Sequence, residues 1–525
     1  MLKTIVTILF FLLACPLPLW ATDWFVRPAG GNYGAENGSS YNNAWDGWSD
    51  ITWASMSAGD TLYICAELRS LCTVKKDGAQ GKHFVVRGDY PSNSGSISNP
   101  SGSGLLIRNR SYVKVMNLTV NNCGGNGLIV DILNATDNEG DIVIENVTSR
   151  NNVNNGIQVE SYNQNTYMIS DVIIRNCTTY NNGKAGYLIH GYVQDISLQS
   201  CVSHDDSQTH PMWGYIFTGW CVKADGGWIV HAGDVYVRNE SDNVEDIIGS
   251  ALSYGFLDKE TGGAGALEAG KYYYDAEKNK LYVHLGGTNP NTMSMPIVYQ
   301  YAERVNAYDC IAYNMKNPTG GEGHGMGFEK GARNCGYYRC KSYNNGDENG
   351  GSGFVAMVDR DCTVAYCVAY GNSNNGISAQ KNHGLKHYNN ACYNNGRCGF
   401  SYFDQVLGTI KNCIAYSNTE YGMHKGSNVT ITNDYNCSYG NSKNFHGITK
   451  GPHSLEIDPL FVNLSNNDLM LQSGSPCKDC GANVPELHPT IDIRLRTTPM
   501  NGQPDIGACE FRRLSKPKGL RTGSN

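Results

Sequence analysis

Charged side chains are scarce: Asp, Glu, Lys and Arg make up only 17% of the 525 residues, and the formal net charge is -7. So mild a balance excludes a broad cationic face of the kind that binds nucleic acid. The same scarcity disfavours long helices, which draw on Ala, Leu, Glu and Lys, and no helical apolar periodicity appears in the repeated units. No apolar run reaches the about 20 residues that a membrane-spanning helix needs. The run from Ile5 to Ala14, behind Lys3 and ahead of Ala21, instead reads as a cleaved export signal over residues 1–21. The mature chain is therefore expected to be secreted, periplasmic or on the cell surface. No CxxC…CxxC zinc arrangement exists among the 19 cysteines, and export predicts that some of them pair.

What the chain has in abundance is Gly (61), Tyr (33) and Asn, arranged in a recurring phrase. "NCTTYNNGKAGY" from Asn176 returns as "RCKSYNNGDENGGSGF" from Arg339, "YCVAYGNSNNGI" from Tyr366 and "NCIAYSNTEYGM" from Asn412. Aligned on a central apolar residue, the phrases give Leu118, Val147, Cys177, Cys201, Cys310, Cys340, Cys367, Cys392, Cys413 and Cys437. One step of 109 residues aside, the spacing of 21 to 30 lies in the range of solenoid repeats. Short β-type runs separated by Asn and Gly predict coils of a parallel β-solenoid, each pairing with the next at ~4.8 Å. Stacking then explains the repetition, since like residues lie on like: Cys in an interior column, Tyr on Tyr, and Asn amides bonding from coil to coil. Cys335 and Cys362 lie off this column and are expected one coil apart, within disulfide reach.

This coil pattern resembles the right-handed parallel β-helix proteins of the pectate-lyase-like superfamily. The opening "DWFVRPAGG…AWDGWSDITWASMSAGDTLYIC" is similar to their amino-terminal cap. The ending "DPLFVNLSNNDLMLQSGSPCKDCGAN…PDIGACEF" is similar to a carboxy-terminal segment of bacterial members. The resemblance implies an all-β right-handed parallel β-helix solenoid. It does not fix an activity, because the fold hosts lyases, hydrolases, epimerases and adhesive proteins. The expected organisation is a signal (1–21), a cap with the first coils (22–105), coils (106–212), a β-rich insertion (213–300), coils (301–450), a carboxy-terminal segment (451–511) and a basic tail (512–525).

Three features point to a site. Immediately before the insertion, the coil carries His204-Asp205-Asp206 where others carry Tyr-Asn-Asn, and Asp205 with Asp206 form a carboxylate pair of the kind that holds Ca²⁺. Trp213, Trp220 and Trp228 cluster near the insertion's start, as a local core or as a platform for sugar rings. Third, in "GLIVD", "GIQVE", "GYLIH" and "GMGFE" the fifth residue points outward, which predicts one external column of Asp131, Glu160, His190 and Glu329.

Long solenoid grooves suit a polysaccharide, because successive subsites align with successive coils. For a polyuronide, elimination needs a neutralised C6 carboxylate, a base for the C5 proton and a proton for the leaving oxygen. "GFEKGARNC" resembles the segment carrying the lysine base of calcium-dependent pectate lyases of family nine, which implies Lys330 as base, although Glu329 stands where that lysine would fall. C5 epimerisation shares the first step, with His190 or His204 as base. Hydrolysis needs two carboxylates, from Glu160, Glu329, Asp205 and Asp206. A binding or adhesive solenoid needs no such site. The oligomeric state has no signature in the sequence.

Overall fold

The computed structural model describes residues 21–511 apart from 93, 162–166, 210–212, 226–227, 241–243, 245, 250–254, 293, 318–321, 486, 488–490 and 500–501. Residues 1–20 of the expected export signal (1–21) and the basic tail (512–525) lie outside the described residues. Successive β-runs lie side by side in parallel: Leu128–Ile132 pairs with Ile157–Ser161, and that strand with Tyr187–Gly191. Thirty-six strands join in one hydrogen-bonded parallel network. Three strand positions recur in each coil and form three faces. We call them the groove face (for example Ile157–Ser161), the second face (Ile169–Arg175) and the tyrosine face (Thr178–Tyr180). Alternation sends Ile157 and Val159 into the interior and leaves Gln158 and Glu160 on the groove face. Among the described residues no helix is long and apolar enough to cross a membrane.

Each coil turns on single residues in the left-handed region, mostly Asn, and the N–H after each such corner needs a partner. Following Asn146 (φ 53), Asn176 (φ 53) and Asn412 (φ 56) come Val147, Cys177 and Cys413 of the interior column. The side chain of the next coil satisfies the corner N–H: Cys177 Sγ accepts from Val147 N at 3.4 Å, and Cys367 Sγ from Cys340 N at 3.4 Å. At a second corner Asn does the same. Asn372 Oδ1 accepts Asn345 N and Nδ2 at 3.1 and 2.9 Å, and its own amide donates to Asn395 Oδ1 at 2.9 Å.

The register corrects two members of the predicted column. Val368 pairs with Ala391 and Ile414 with Cys437, so Asn390 and Asn436 occupy the positions expected for Cys392 and Cys437. The physical role is unchanged, because Asn390 Oδ1 accepts from Cys367 N at 2.9 Å and Asn436 Oδ1 from Cys413 N at 2.8 Å. Cys335 and Cys362 do fall in adjacent coils, and both thiols are free and buried.

The insertion begins later than expected. Trp213–Thr218 is a groove-face strand, pairing with Tyr187–Gly191 on one side and His324–Glu329 on the other. The chain leaves the solenoid at Trp220 and returns at Ala302. In between it forms a four-stranded and a five-stranded sheet, with Lys271–Asp275 and Lys280–His284 as an antiparallel hairpin. Trp228 is buried in the insertion's own core with Val244, Leu257, Tyr272, Leu281 and Val283.

Because the ladder amides answer buried backbone donors, Asn372→Ala should cost about 2–3 kcal/mol by stranding the Asn345 N–H. Urea denaturation should show this as a lower midpoint with an unchanged slope.

Candidate active site in the groove

Register places the titratable residues of the groove face in one outward column. Its order along the coils is Arg108, Asp131, Glu160, His190, Thr218, Glu329, Met357, Gln380 and Phe403. The expected set of Asp131, Glu160, His190 and Glu329 is therefore a true column, with Thr218 between the last two. A groove of about 430 Å³ lies over its middle, lined among others by Gln158, Glu160, Lys184, His190, Thr218, Glu329 and Lys330. The insertion departs directly from its edge, at Gly219.

Partners divide this column by role. Asp131 is closed off, since its buried carboxylate takes both Arg108 Nε (2.8 Å) and Nη2 (2.5 Å). Glu160 is also buried, between Gln158 Nε2 and His190 Nδ1, the latter at 3.0 Å from its Oε1. A carboxylate only accepts, so Nδ1 carries the hydrogen and His190 Nε2 is left as the basic nitrogen. Asn155 Nδ2 in turn holds Gln158 Oε1 at 2.8 Å, which fixes the support beneath Glu160. Glu329 pairs with Lys330 Nζ at 2.7 Å, and Lys330 itself turns the chain off the face with φ 34. Lys184 adds a second cation to the lining.

The remaining candidates are elsewhere. His204 takes the place of a tyrosine in the stack on the tyrosine face, 5.0 Å from the Tyr180 ring and 4.9 Å from the Tyr313 ring. Asp205 is the left-handed corner residue there (φ 52), and its carboxylate holds His204 Nδ1 at 2.7 Å. Asp206 is a rung of the interior asparagine ladder, 0% exposed. It accepts from Asn182 N and Nδ2 (2.9 and 2.8 Å), Thr179 Oγ1 (2.9 Å) and Ser203 Oγ (2.7 Å). With one carboxylate spent on four wall donors and the other on His204, Asp205 and Asp206 do not fit Ca²⁺. The expected convergence of His190, Asp205, Asp206, Glu329 and Lys330 on one patch fails for the two aspartates.

Trp213 is only 7% exposed; its ring meets His324 edge-on at 5.2 Å and covers Gly327, where any Cβ would lie 1.9 Å from the indole. It is structural, a saddle with Ile216 and Val355 on the groove face rather than an open platform. Trp220 opens the insertion's first strand, and its side chain lies outside the described residues.

The chain is a right-handed parallel β-helix. No family model and no curated protein matches it. Solved structures similar to it include pectate lyase Pel9A, 13% identical with a TM-score of 0.43, covering 94% of this chain and 98% of that one. The Azotobacter vinelandii mannuronan C-5 epimerase AlgE4 A-module is 12% identical with a TM-score of 0.41, covering 76% and 91%. The lacto-N-biosidase from Eubacterium ramulus is 8% identical with a TM-score of 0.34, covering 83% and 68%.

Sequence reading missed Gln158, Lys184 and Thr218. Gln158 could have been found by extending the outward count to the third residue of "GIQVE", and Lys184 by noting the cation just before the next strand. Thr218 was hidden because its strand was assigned to the insertion.

Burial lifts the Asp206 carboxyl from 3.8 to about 6, against the pull of its four donors. Its folded-state value exceeds the unfolded one, so the stability it contributes is present at acid pH and lost as pH rises through about 6. The ionised form at neutral pH costs about 3 kcal/mol by this linkage. Asp206→Asn restores the rung found in other coils and should raise Tm at pH 7, with the gain shrinking below pH ~5. A thermal-melt series across pH checks both the sign and the window.

Proposed function

We propose that the protein is an exported polysaccharide-active enzyme that removes the C5 proton of a uronate residue, as a polyuronide lyase or a C5-epimerase, with His190 as the base. The observation that carries this reading is the buried Glu160 carboxylate holding His190 Nδ1 at 3.0 Å, which leaves Nε2 basic inside a groove that also holds Lys184 and Lys330. His190 and Glu329 are two strand steps apart, ~10 Å, which leaves room for a sugar ring between the base and Lys330. Lys184 and Lys330 would neutralise the C6 carboxylate and stabilise the charge that develops as the C5–H bond breaks. In elimination the electron pair becomes the C4–C5 double bond and O4 leaves with a proton from Lys330. In epimerisation the same lysine returns a proton to the opposite face. Lys330 thus acts as an acid, the reverse of the role its sequence context implies, with Glu329 Oε1 paired to its Nζ at 2.7 Å.

Spacing argues against hydrolysis. Glu160 and Glu329 are three strand steps apart, ~14 Å, beyond the ~5–9.5 Å that paired catalytic carboxylates span. Asp131 is near enough to Glu160 but is held by Arg108.

Purified protein should be incubated with polygalacturonate and polymannuronate in D₂O. Ultraviolet absorbance of an unsaturated uronate marks elimination, and deuterium at C5 without chain cleavage marks epimerisation. His190→Ala should lower kcat by ~10²–10⁴-fold with little change in Tm. New reducing ends without unsaturation, or full activity in His190→Ala, would refute the proposal.

A further inference from the structure

The groove face does not end at Glu329. Its outward column continues as Met357, Gln380 and Phe403, three rungs without an ionisable side chain. A second cavity, of about 260 Å³, lies over these rungs, lined among others by Glu322, His324, Val355, Met357, Arg397 and Phe403. Its floor continues that of the first groove. Val355 and Met357 pack against Trp213 and Ile216, and Ile216 also lines the groove at His190. Phe403, 37% exposed, is an open aromatic side chain at the far end.

The charged groups of this cavity are arranged for binding rather than proton transfer. His324 Nδ1 accepts the Ser352 N–H at 3.0 Å, so its hydrogen is on Nε2, 2.9 Å from Glu322 Oε2. Both ring nitrogens are used, and the imidazole has no free basic nitrogen of the kind His190 keeps. Its hydrogen bond holds the Glu322 carboxyl below the usual carboxylate range, so Glu322 stays an anion. A Cβ on Gly350, where φ is 100, would stand 3.4 Å from Asn374 Nδ2 and 3.6 Å from Glu322 Oε1. The space that Gly350 leaves open is thus bordered by an amide donor and by the second oxygen of Glu322. The cation of the cavity is Arg397, half exposed, with its Nε 3.3 Å from Glu420 at the surface.

We propose that this cavity is a subsite for a uronate residue several sugars away from the one attacked at His190, and that it sets the direction of the chain. The subsite rests on the uronate chain proposed for the groove. A uronate ring has an anionic edge, a hydroxyl edge and an apolar C–H face. Arg397 suits the first, Glu322 and Asn374 the second, and Phe403 the third. Glu322 repels a carboxylate turned to its own side, so one orientation of the ring is selected. His190 and Phe403 are five strand steps apart, ~24 Å. A 1,4-linked chain advances by about one such step per sugar, so short fragments held at His190 do not reach the cavity.

The test uses oligogalacturonates and oligomannuronates of three and eight residues. Calorimetry measures their binding to the full chain carrying His190→Ala, which leaves the ligand unchanged, alone and combined with Arg397→Ala or Phe403→Ala. The octamer of the recognised uronate should bind roughly 10-fold or more tighter than its trimer, and either added substitution should remove that difference. With His190 intact, the same two substitutions should lower kcat/KM ~10-fold for the octamer and leave the trimer unaffected. Equal affinity for trimer and octamer would overturn the subsite, as would a length dependence that survives both substitutions or no binding of either series. Length-dependent binding by a chain that neither eliminates nor exchanges C5 hydrogen would uphold the subsite and refute the reaction proposed for His190.

Discussion

At most of the left-handed corners in the two ladders, the backbone N–H that follows is met by a side chain of the next coil. This one requirement organises the molecule. An isolated coil cannot satisfy it, so each coil is complete only when the next is in register beneath it. Cys, Asn and Asp are interchangeable at these positions because each brings an acceptor on a short side chain: Sγ of Cys367, Oδ1 of Asn390, Oδ1 of Asp206. The ladders use up the interior and leave the outward positions of the strands free. Chemistry is therefore confined to outward columns, where residues one coil apart meet at strand spacing and residues adjacent in sequence face opposite ways.

That geometry makes partners out of residues 23 to 30 apart in sequence and separates neighbours. Asp131, Glu160 and His190 are consecutive rungs, yet one carboxylate belongs to Arg108 on one side and the other to His190 on the other. His204, Asp205 and Asp206 are consecutive in sequence and go to three environments: an aromatic stack, a corner and the buried ladder. A cluster along the chain is thus weak evidence of a cluster in space for a solenoid, while equal offsets in successive coils are strong evidence.

The fold was legible because stacking imposes the same residue at the same place many times over, and any one coil corroborates the others. The column error at Cys392 and Cys437 came from matching cysteines. Aligning on Tyr393 and Tyr439 places Asn390 and Asn436 three residues ahead, as Cys177 stands to Tyr180. Asp206 does not pair with Asp205 because an Asn-to-Asp change alters charge but hardly shape, so the carboxylate fits the amide's buried place in the ladder. The groove column was legible from the alternation of "GIQVE" and "GYLIH" alone, but which rung is neutralised was not. That depends on Arg108, one coil away, whose guanidinium takes the Asp131 carboxylate.

The insertion and the ladder's interruption have a common cause. Asp206 ends the upper run of rungs, and the residue below it is Met315, which offers no amide in its place. Above this level Asn152 and Asn182 pass hydrogen bonds downward; below it the ladder resumes when Asn345 Oδ1 accepts from Met315 N at 3.2 Å. Asp206 accepts on both oxygens, from Ser203 of its own coil and from Asn182 and Thr179 of the coil above. The coil that must release the chain for some eighty residues is thus the one whose ladder closes on itself. The insertion has an apolar core of its own around Trp228, Tyr272 and Leu281. Its exit at Gly219, one residue beyond Thr218, places its start at the rim of the groove.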